Sequence, residues 1–291
     1  MKYQFVADHK DEFPVTRMCR VLGVSTSGYY ASRKRPQSQR DRDNLVLVEQ
    51  IKEVHTASRG LYGSPRVHAE LVKGQHIPCN KKRVERLMRI HQIHGRQRRR
   101  RQVQTTDSNH SLPVAPNLLD REFTAEAPDR KWVADITYVP TEQGWLYLAV
   151  VLDLFSRRVI GWSMADTLCT VLVKNALEMA MAFRQPQAGL LHHSDRGSQY
   201  ASAEYQAVLE SGKMVASMSR SGNCYDNAAM ESFFGTLKCE LIHDRYYRTH
   251  AEARQDIFEY IEVFYNRQRR HSSLGYLSPA EYEKLCQFRL N

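Results

Sequence analysis

The sequence contains no run approaching about eighteen consecutive apolar residues, the length at which a membrane-spanning helix is read. Its opening, MKYQFVADHKDEF, carries charges where a secretory signal needs an apolar segment. Both absences predict a soluble chain that stays in the cytoplasm and has no membrane partner. The six cysteines, Cys19, Cys79, Cys169, Cys224, Cys239 and Cys286, include no CxxC pair, which fits neither a disulfide framework nor a cysteine zinc site. His91 and His94 have an HxxH spacing, but no cysteine pair follows at finger spacing, so packed or solvated histidines are the preferred reading. Acidic residues are scarce at the front: residues 1–110 hold 23 Lys+Arg against 10 Asp+Glu, whereas residues 111–291 hold 19 against 22. The net charge of +10 is therefore a property of the front, which suggests that this part meets a polyanion. With 291 residues, 42% of them hydrophobic, the chain can build two or three units with a core in each.

Residues 15–35, VTRMCRVLGVSTSGYYASRKR, predict a short helix, a turn at Gly23 and a second helix capped by a Ser or Thr at 25–27, the shape of a helix-turn-helix. Arg33, Lys34 and Arg35 at its end are candidate phosphate contacts. A helix over 42–56 follows, with Leu45, Val48, Ile51 and Val54 on one side, then a helix from Pro65 to about Lys73. Asn80 caps another amphipathic helix, KKRVERLMRIHQI, with Val84, Leu87 and Met88 inward and Lys81, Lys82, Arg83, Arg86 and Arg89 outward. Arg96, Arg98, Arg99, Arg100 and Arg101 fall within six residues, a density better explained by a DNA-contacting arm than by a solvated face. The front thus divides into an N-terminal helical DNA-binding region, 1–60, and a second helix-turn-helix with an arginine-rich arm, 61–101. Residues 102–128 lack periodicity and read as a linker.

From Trp132 the pattern changes to strands at 132–139, 145–153 and 157–163, joined by short turns as an antiparallel meander. A helix near 168–184, a strand at GLLHHS, a helix at 199–211, a strand at KMVASMS and a helix at 226–241 complete a mixed five-stranded sheet flanked by helices. Asp135 lies inside the apolar strand WVADITYV, where a short charged side chain is disfavoured, so it needs a backbone or basic partner or a metal; the metal is the preferred reading. Asp195 ends the fourth strand in LLHHSDRGSQY, at the carboxyl end where open α/β sheets present functional groups. Glu231 shares one helical stripe with Asn227 and Lys238, above the packing residues Met230, Phe233, Phe234 and Leu237. Such a stripe presents an acid to a metal, with Asn227 and Lys238 as candidate DNA contacts. Three carboxylates are hard donors suited to two Mg²⁺ ions, with Mn²⁺ as a substitute, rather than to zinc. Asp153 reads as a structural turn residue, and one of His192 and His193 as a support for the site.

Between Asp195 and Glu231 lie 35 residues, and Lys238 is seven beyond, which resembles the D-D-35-E plus Lys/Arg signature of retroviral integrases and related transposases. With WVADITYV, GWLYLAVVLDLFSRRVIGWS, HSDRGSQY, NAAMESFFGTLK and YNRQRRHSSLGYLSPAEYE, and with CRVLGVSTSGYY and YGSPRVHAEL at the front, the chain is similar to transposases of the insertion-sequence-three family, specifically their second-frame (OrfB) product. The resemblance implies an α/β ribonuclease H-like catalytic core, 129–245, behind an all-α helix-turn-helix region and ahead of a C-terminal helical extension, 246–291. It implies Mg²⁺ dependence, and cleavage and strand transfer on double-stranded DNA at the terminal inverted repeats of a bacterial element. It makes Asp135, Asp195 and Glu231 the catalytic and metal-holding acids and Lys238 a DNA contact near the reacting end. A first-frame (OrfA) partner or fusion is expected, because this chain lacks a zipper heptad, and a homo-oligomer is expected because two DNA ends must be paired. In the extension, Arg267, Arg269, Arg270 and His271 read either as DNA contacts or as a loop with solvated arginines before a Ser-capped helix, and Tyr265 is a candidate for stacking on a base. The competing functions are a nuclease of the same fold that does not join, and a DNA-binding regulator with a non-catalytic core; the intact triad argues against the regulator.

Overall fold

In the computed structural model of the chain, which describes residues 2–34, 38–96, 112–220 and 223–290, the backbone divides into two units, Met1–Glu53 and Val54–Asn291. The first contains α1 (Lys2–Asp8), α2 (Val15–Val21), α3 (Thr26–Lys34) and the larger part of α4 (Gln39–Ala57). Between α2 and α3, Gly23 has a φ of +61°, a conformation that a side chain disfavours, and the hydroxyl of Ser25 accepts the Gly28 N–H at 3.2 Å. Val6, Met18, Cys19 and Tyr29 form the small core. Helix α1 buries only Val6, too little for a periodicity to announce it. In α4 the buried side chains are Leu47, Val48, Ile51 and Val54, while Leu45 is 52% exposed, a correction to the expected stripe.

After the end of α4, the second unit continues with α5 (Ser64–Ala69), which has Pro65 in its first turn and runs into a π-helical turn at Glu70–Gly74. In α6 (Lys81–Ile90), the Asn80 side chain accepts the Lys82 N–H at 2.8 Å, the cap the sequence predicts. The sheet contains β1 (Lys131–Thr141), β2 (Gly144–Asp153), β3 (Val159–Ala165), β4 (Leu191–Ser194) and β5 (Val215–Met218) in the order β3-β2-β1-β4-β5. The first three strands pair antiparallel, and β1–β4 and β4–β5 pair parallel. This is the ribonuclease H-like arrangement. Trp132, Ala134 and Ile136 of β1 pack into the core with α7 (Thr170–Arg184), α8 (Ser198–Ala201) and α9 (Ala203–Ser211), so strand alternation turns Asp135 to the opposite face. There α10 (Ala228–Glu240) and α11 (His250–Glu259) meet β1. Where α7 crosses β3, a Cβ at Gly161 would overlap the Ala176 carbonyl.

Of the expected linker, 102–128, residues 102–111 lie outside the described residues, and 112–128 carry no helix or strand but are not free. The N–H groups of Leu118 and Leu119 donate to the Ser217 hydroxyl on β5 at 2.9 and 3.2 Å, and Leu119 is buried. The C-terminal residues are also tied to the sheet. Beyond α11 and its π-helical continuation, Tyr260–Tyr265, the Asn266 amide bonds both backbone groups of Val159 on edge strand β3, at 3.0 and 2.9 Å. Helix α12 (Pro279–Leu290) places Glu283 between Arg158, at 2.7 Å, and Arg184. No helix among the described residues is long and apolar enough to cross a membrane.

Candidate active site

Parallel pairing sets two of the predicted acids level. Val133 of β1 pairs with His193 of β4, and Asp135 and Asp195 each lie two residues beyond that pair. Asp135 accepts the Ile136 N–H at 2.7 Å. Burial pushes its carboxyl well above the ordinary range, and repulsion from Asp195 and then Glu231 adds to this; the Ile136 N–H and Lys238 pull it down. Asp195 accepts the Gly197 N–H at 2.9 Å, and a Cβ on Gly197 would stand 3.1 Å from that carboxylate oxygen, so glycine lets the turn close tightly. Glu231 is exposed on the first turn of α10. Lys238, on the same helix, lies over the Tyr138 ring with its Nζ 4.8 Å from the centroid. Burial lowers the Lys238 pKa and Asp135 raises it.

Two residues fix the start of α10. Asn227 is only 6% exposed, and its Nδ2 donates to the Ala134 carbonyl at 3.1 Å, immediately before Asp135. It is therefore a tie between helix and strand, a correction to its reading as a DNA contact. Its Oδ1 is buried without a hydrogen-bond partner among the described residues. The preceding Asp226, buried, accepts from Arg220, Arg121 and Asn117 at 2.9–3.1 Å. The Arg220 guanidinium above all holds its carboxyl well below the usual carboxylate range.

Sequence reasoning missed Tyr200, whose only signal was a position five residues after Asp195. Its hydroxyl is buried without a hydrogen-bond partner among the described residues. Burial pushes its pKa well up, with smaller contributions from Tyr205, Asp135 and Asp195. The histidines are committed elsewhere: His192 bonds the Tyr205 hydroxyl at 3.1 Å, and His193 bonds Ser217 and Ser219 at 2.8 and 3.1 Å. Burial lowers them to about 3 and about 4, so both are neutral. Asp153 accepts the N–H groups of Asp129, Phe155 and Ser156 and is raised by burial to about 6, a turn anchor. Among the described residues, no three His, Cys, Asp or Glu side chains converge on one ion position. Asp135, Asp195 and Glu231 nevertheless approach closely enough to repel, and three hard oxygen donors with accumulated negative charge fit divalent cations.

The expected DNA contacts fall into three groups. Arg33 and Lys34 on α3, Lys82 on α6 and Arg267 are exposed, while Arg83 and Arg86 are half-buried. Arg35, Arg98, Arg99, Arg100 and Arg101 lie outside the described residues. Three arginines are corrected. Arg96 pairs with Asp244 at 2.6 Å and donates to the Cys239 and Glu240 carbonyls, which caps the end of α10. Arg269, 5% exposed, grips both oxygens of Glu240 at 2.8 and 2.6 Å. Arg270, 6% exposed, reaches Glu70 at 2.6 Å and Glu281 at 2.7 Å. Buried guanidiniums need such carboxylates, so neither Arg269 nor Arg270 is the solvent-exposed cation that the sequence suggested. Tyr265 is likewise buried, against Phe233 and His271, which removes it as a base-stacking ring.

Comparison with known proteins accords with this arrangement. A family model described as an integrase core domain matches residues 125–224, which include Asp135 and Asp195, and a second integrase core domain model matches 231–285, beginning at Glu231. An HTH-like domain model matches residues 41–101. The chain is 45% identical over 267 residues to the uncharacterized 31 kDa protein of insertion element IS600 from Shigella sonnei, covering 92% of this chain and 97% of that protein. It is 43% identical over 290 residues to transposase InsF of insertion sequence IS3A from Escherichia coli, covering 97% and 98% of the two chains. The HTLV-2 integrase catalytic core in complex with magnesium gives a TM-score of 0.42 at 16% identity, over 55% of this chain and 99% of that one, too distant a likeness to bear on the site.

Proposed function

Because the chain belongs to the transposases of the IS3 family, DNA-binding enzymes that cut and join DNA at the terminal inverted repeats of a bacterial insertion sequence, we propose that Asp135, Asp195 and Glu231 are its catalytic acids. The observation that carries this reading is the shared electrostatics of the three, with Asp135 and Asp195 level on paired strands and Lys238 beside them. The reaction depends on a divalent metal, which we assign as two Mg²⁺ ions held by these acids, with Mn²⁺ as a substitute, supplying activation of the attacking oxygen and stabilisation of the leaving one.

The chain's own residues set the geometry. The Ile136 and Gly197 N–H groups orient the two aspartates, and Asn227 ties the helix carrying Glu231 to β1 beside Asp135. Lys238 offers a cation to the phosphate as charge develops on it. Water attacks the phosphorus and the 3′ oxygen leaves, freeing a 3′-hydroxyl on the element end. That hydroxyl then attacks a target phosphodiester and displaces its 3′ oxygen, so no covalent protein nucleophile is required. Arg33, Lys34, Lys82, Arg83, Arg86 and Arg267, with Arg35 and Arg98–Arg101, are assigned to the DNA backbone. A homo-oligomer pairs the two ends, and a first-frame partner or fusion adds recognition.

A labelled element-end duplex incubated with Mg²⁺ is expected to be nicked and joined. Unchanged cleavage after Asp135→Asn, Asp195→Asn or Glu231→Gln, with folding intact, would remove the triad assignment. Nicking without any joined product would leave a nuclease.

A further inference from the structure

The residues of α10 that turn away from the Asn227, Glu231 and Lys238 stripe form the wall of a cleft of about 320 Å³. Ser232 and Thr236 line it from the helix, and Arg66, Arg157, Arg269 and His271 line it from the opposite sides. None of these six belongs to the acid site. Three of them are guanidiniums, and two have little charge compensation. Arg269 is gripped by Glu240, but Arg66 reaches the same carboxylate only at 3.5 Å. Arg157 donates to the Phe123 carbonyl at 2.9 Å, and the carboxylate that acts on it, Asp153, is itself engaged by three backbone N–H groups. His271 is 6% exposed, and its Nε2 has no hydrogen-bond partner among the described residues. Burial and then Arg269, Arg66 and Arg157 hold that imidazole neutral, so the positive potential of the cleft comes from the guanidiniums. The hydroxyls of Ser232, Thr236, Ser272 and Ser273 stand around the same space.

Partly desolvated guanidiniums flanked by hydroxyls, with two carboxylates, Glu240 and Asp153, for three cations, are the chemistry of oxyanion binding, and planar guanidinium forks suit phosphate in particular. We propose that this cleft binds a phosphate group, and that its source is a backbone phosphate of the DNA strand passing behind α10. The DNA source rests on the transposase reading above; the phosphate chemistry does not. A phosphate held there would brace the helix that carries Glu231 from its other side.

The test uses the full chain with two probes, inorganic phosphate by calorimetric titration and a 30-base-pair duplex of arbitrary sequence at several salt concentrations. Arg157→Gln removes a cation from the wall. Ser273→Glu adds a carboxylate at an exposed position whose change leaves the core intact. Lys174→Gln on α7 controls for net charge. Wild type is expected to bind phosphate, and both cleft variants to lose it. Both variants should also bind the duplex about tenfold more weakly, with the salt slope reduced by about one, while Lys174→Gln leaves both measurements unchanged. Phosphate binding lost in the variants without any change toward the duplex would identify free phosphate as the source and overturn the DNA assignment. No phosphate binding by wild type, together with variants that bind DNA as wild type does, would overturn the site itself. A wild-type chain that titrates phosphate but neither cuts nor joins element ends would instead count against the transposase reading.

Discussion

At the scale of single residues, the buried polar groups divide into satisfied and unsatisfied ones, and each kind gives a measurable outcome. The Tyr200 hydroxyl has no partner among the described residues, so Tyr200→Phe removes a desolvated donor without opening a cavity. In the metal-free chain this should raise Tm by about 2–4 °C; a fall in Tm would show that the hydroxyl is in use. Asp226 is the opposite case. Its folded pKa is depressed, so its stabilisation is fully present above the unfolded carboxylate range and is lost as pH falls towards the folded value. Asp226→Asn should therefore lower Tm by several degrees at pH 7, and the gap to wild type should narrow below about pH 4. A gap that stays constant with pH would show that the charge is irrelevant. The sequence exposed Asp135 because an acid inside an apolar strand is conspicuous. It could not expose the fates of Arg269 and Arg270, because Glu240 stands 29 residues from the first and Glu70 stands 200 from the second, whose nearer partner Glu281 gives no periodic sign of the pairing. An arginine cluster looks the same in sequence whether its partners are phosphates or distant glutamates.

At the scale of elements, the five strands were legible because alternation and apolar runs leave a direct trace in sequence, and their observed bounds differ from the expected ones by a few residues. Residues 112–128 were misread because they pack through backbone groups, as Leu118 and Leu119 do on Ser217, and backbone bonding leaves no mark in composition. At Gly161, α7 approaches β3 so closely that a Cβ would meet the Ala176 carbonyl. Gly161→Val would force the helix off the strand, and overpacking of this kind costs about 1–3 kcal/mol. Chemical denaturation should show the midpoint falling with an unchanged slope; an unchanged midpoint would mean that α7 does not rest there.

At the scale of the molecule, residues 54–290 hold together through pairs that link the front, middle and end of the chain. Arg270 with Glu70, Arg269 with Glu240 and Asn266 with Val159 join the π-helical turn after α5, α10 and β3 to the residues beyond α11. A chain ended after Arg245 would strand Glu240, Glu70 and the edge of β3, and should fail to give a soluble product with a cooperative melt; a well-folded product would contradict this. The charge asymmetry between front and back was plain from composition, whereas these long-range pairs were not, since none has a local signature. Glu283 is made 125 residues after Arg158 and 99 after Arg184, the two guanidiniums it neutralises. Until α12 has emerged from the ribosome, Arg158 has no Glu283 to answer it and Arg184 keeps only Asp129, so this corner of the fold closes after the sheet and α7 have been made.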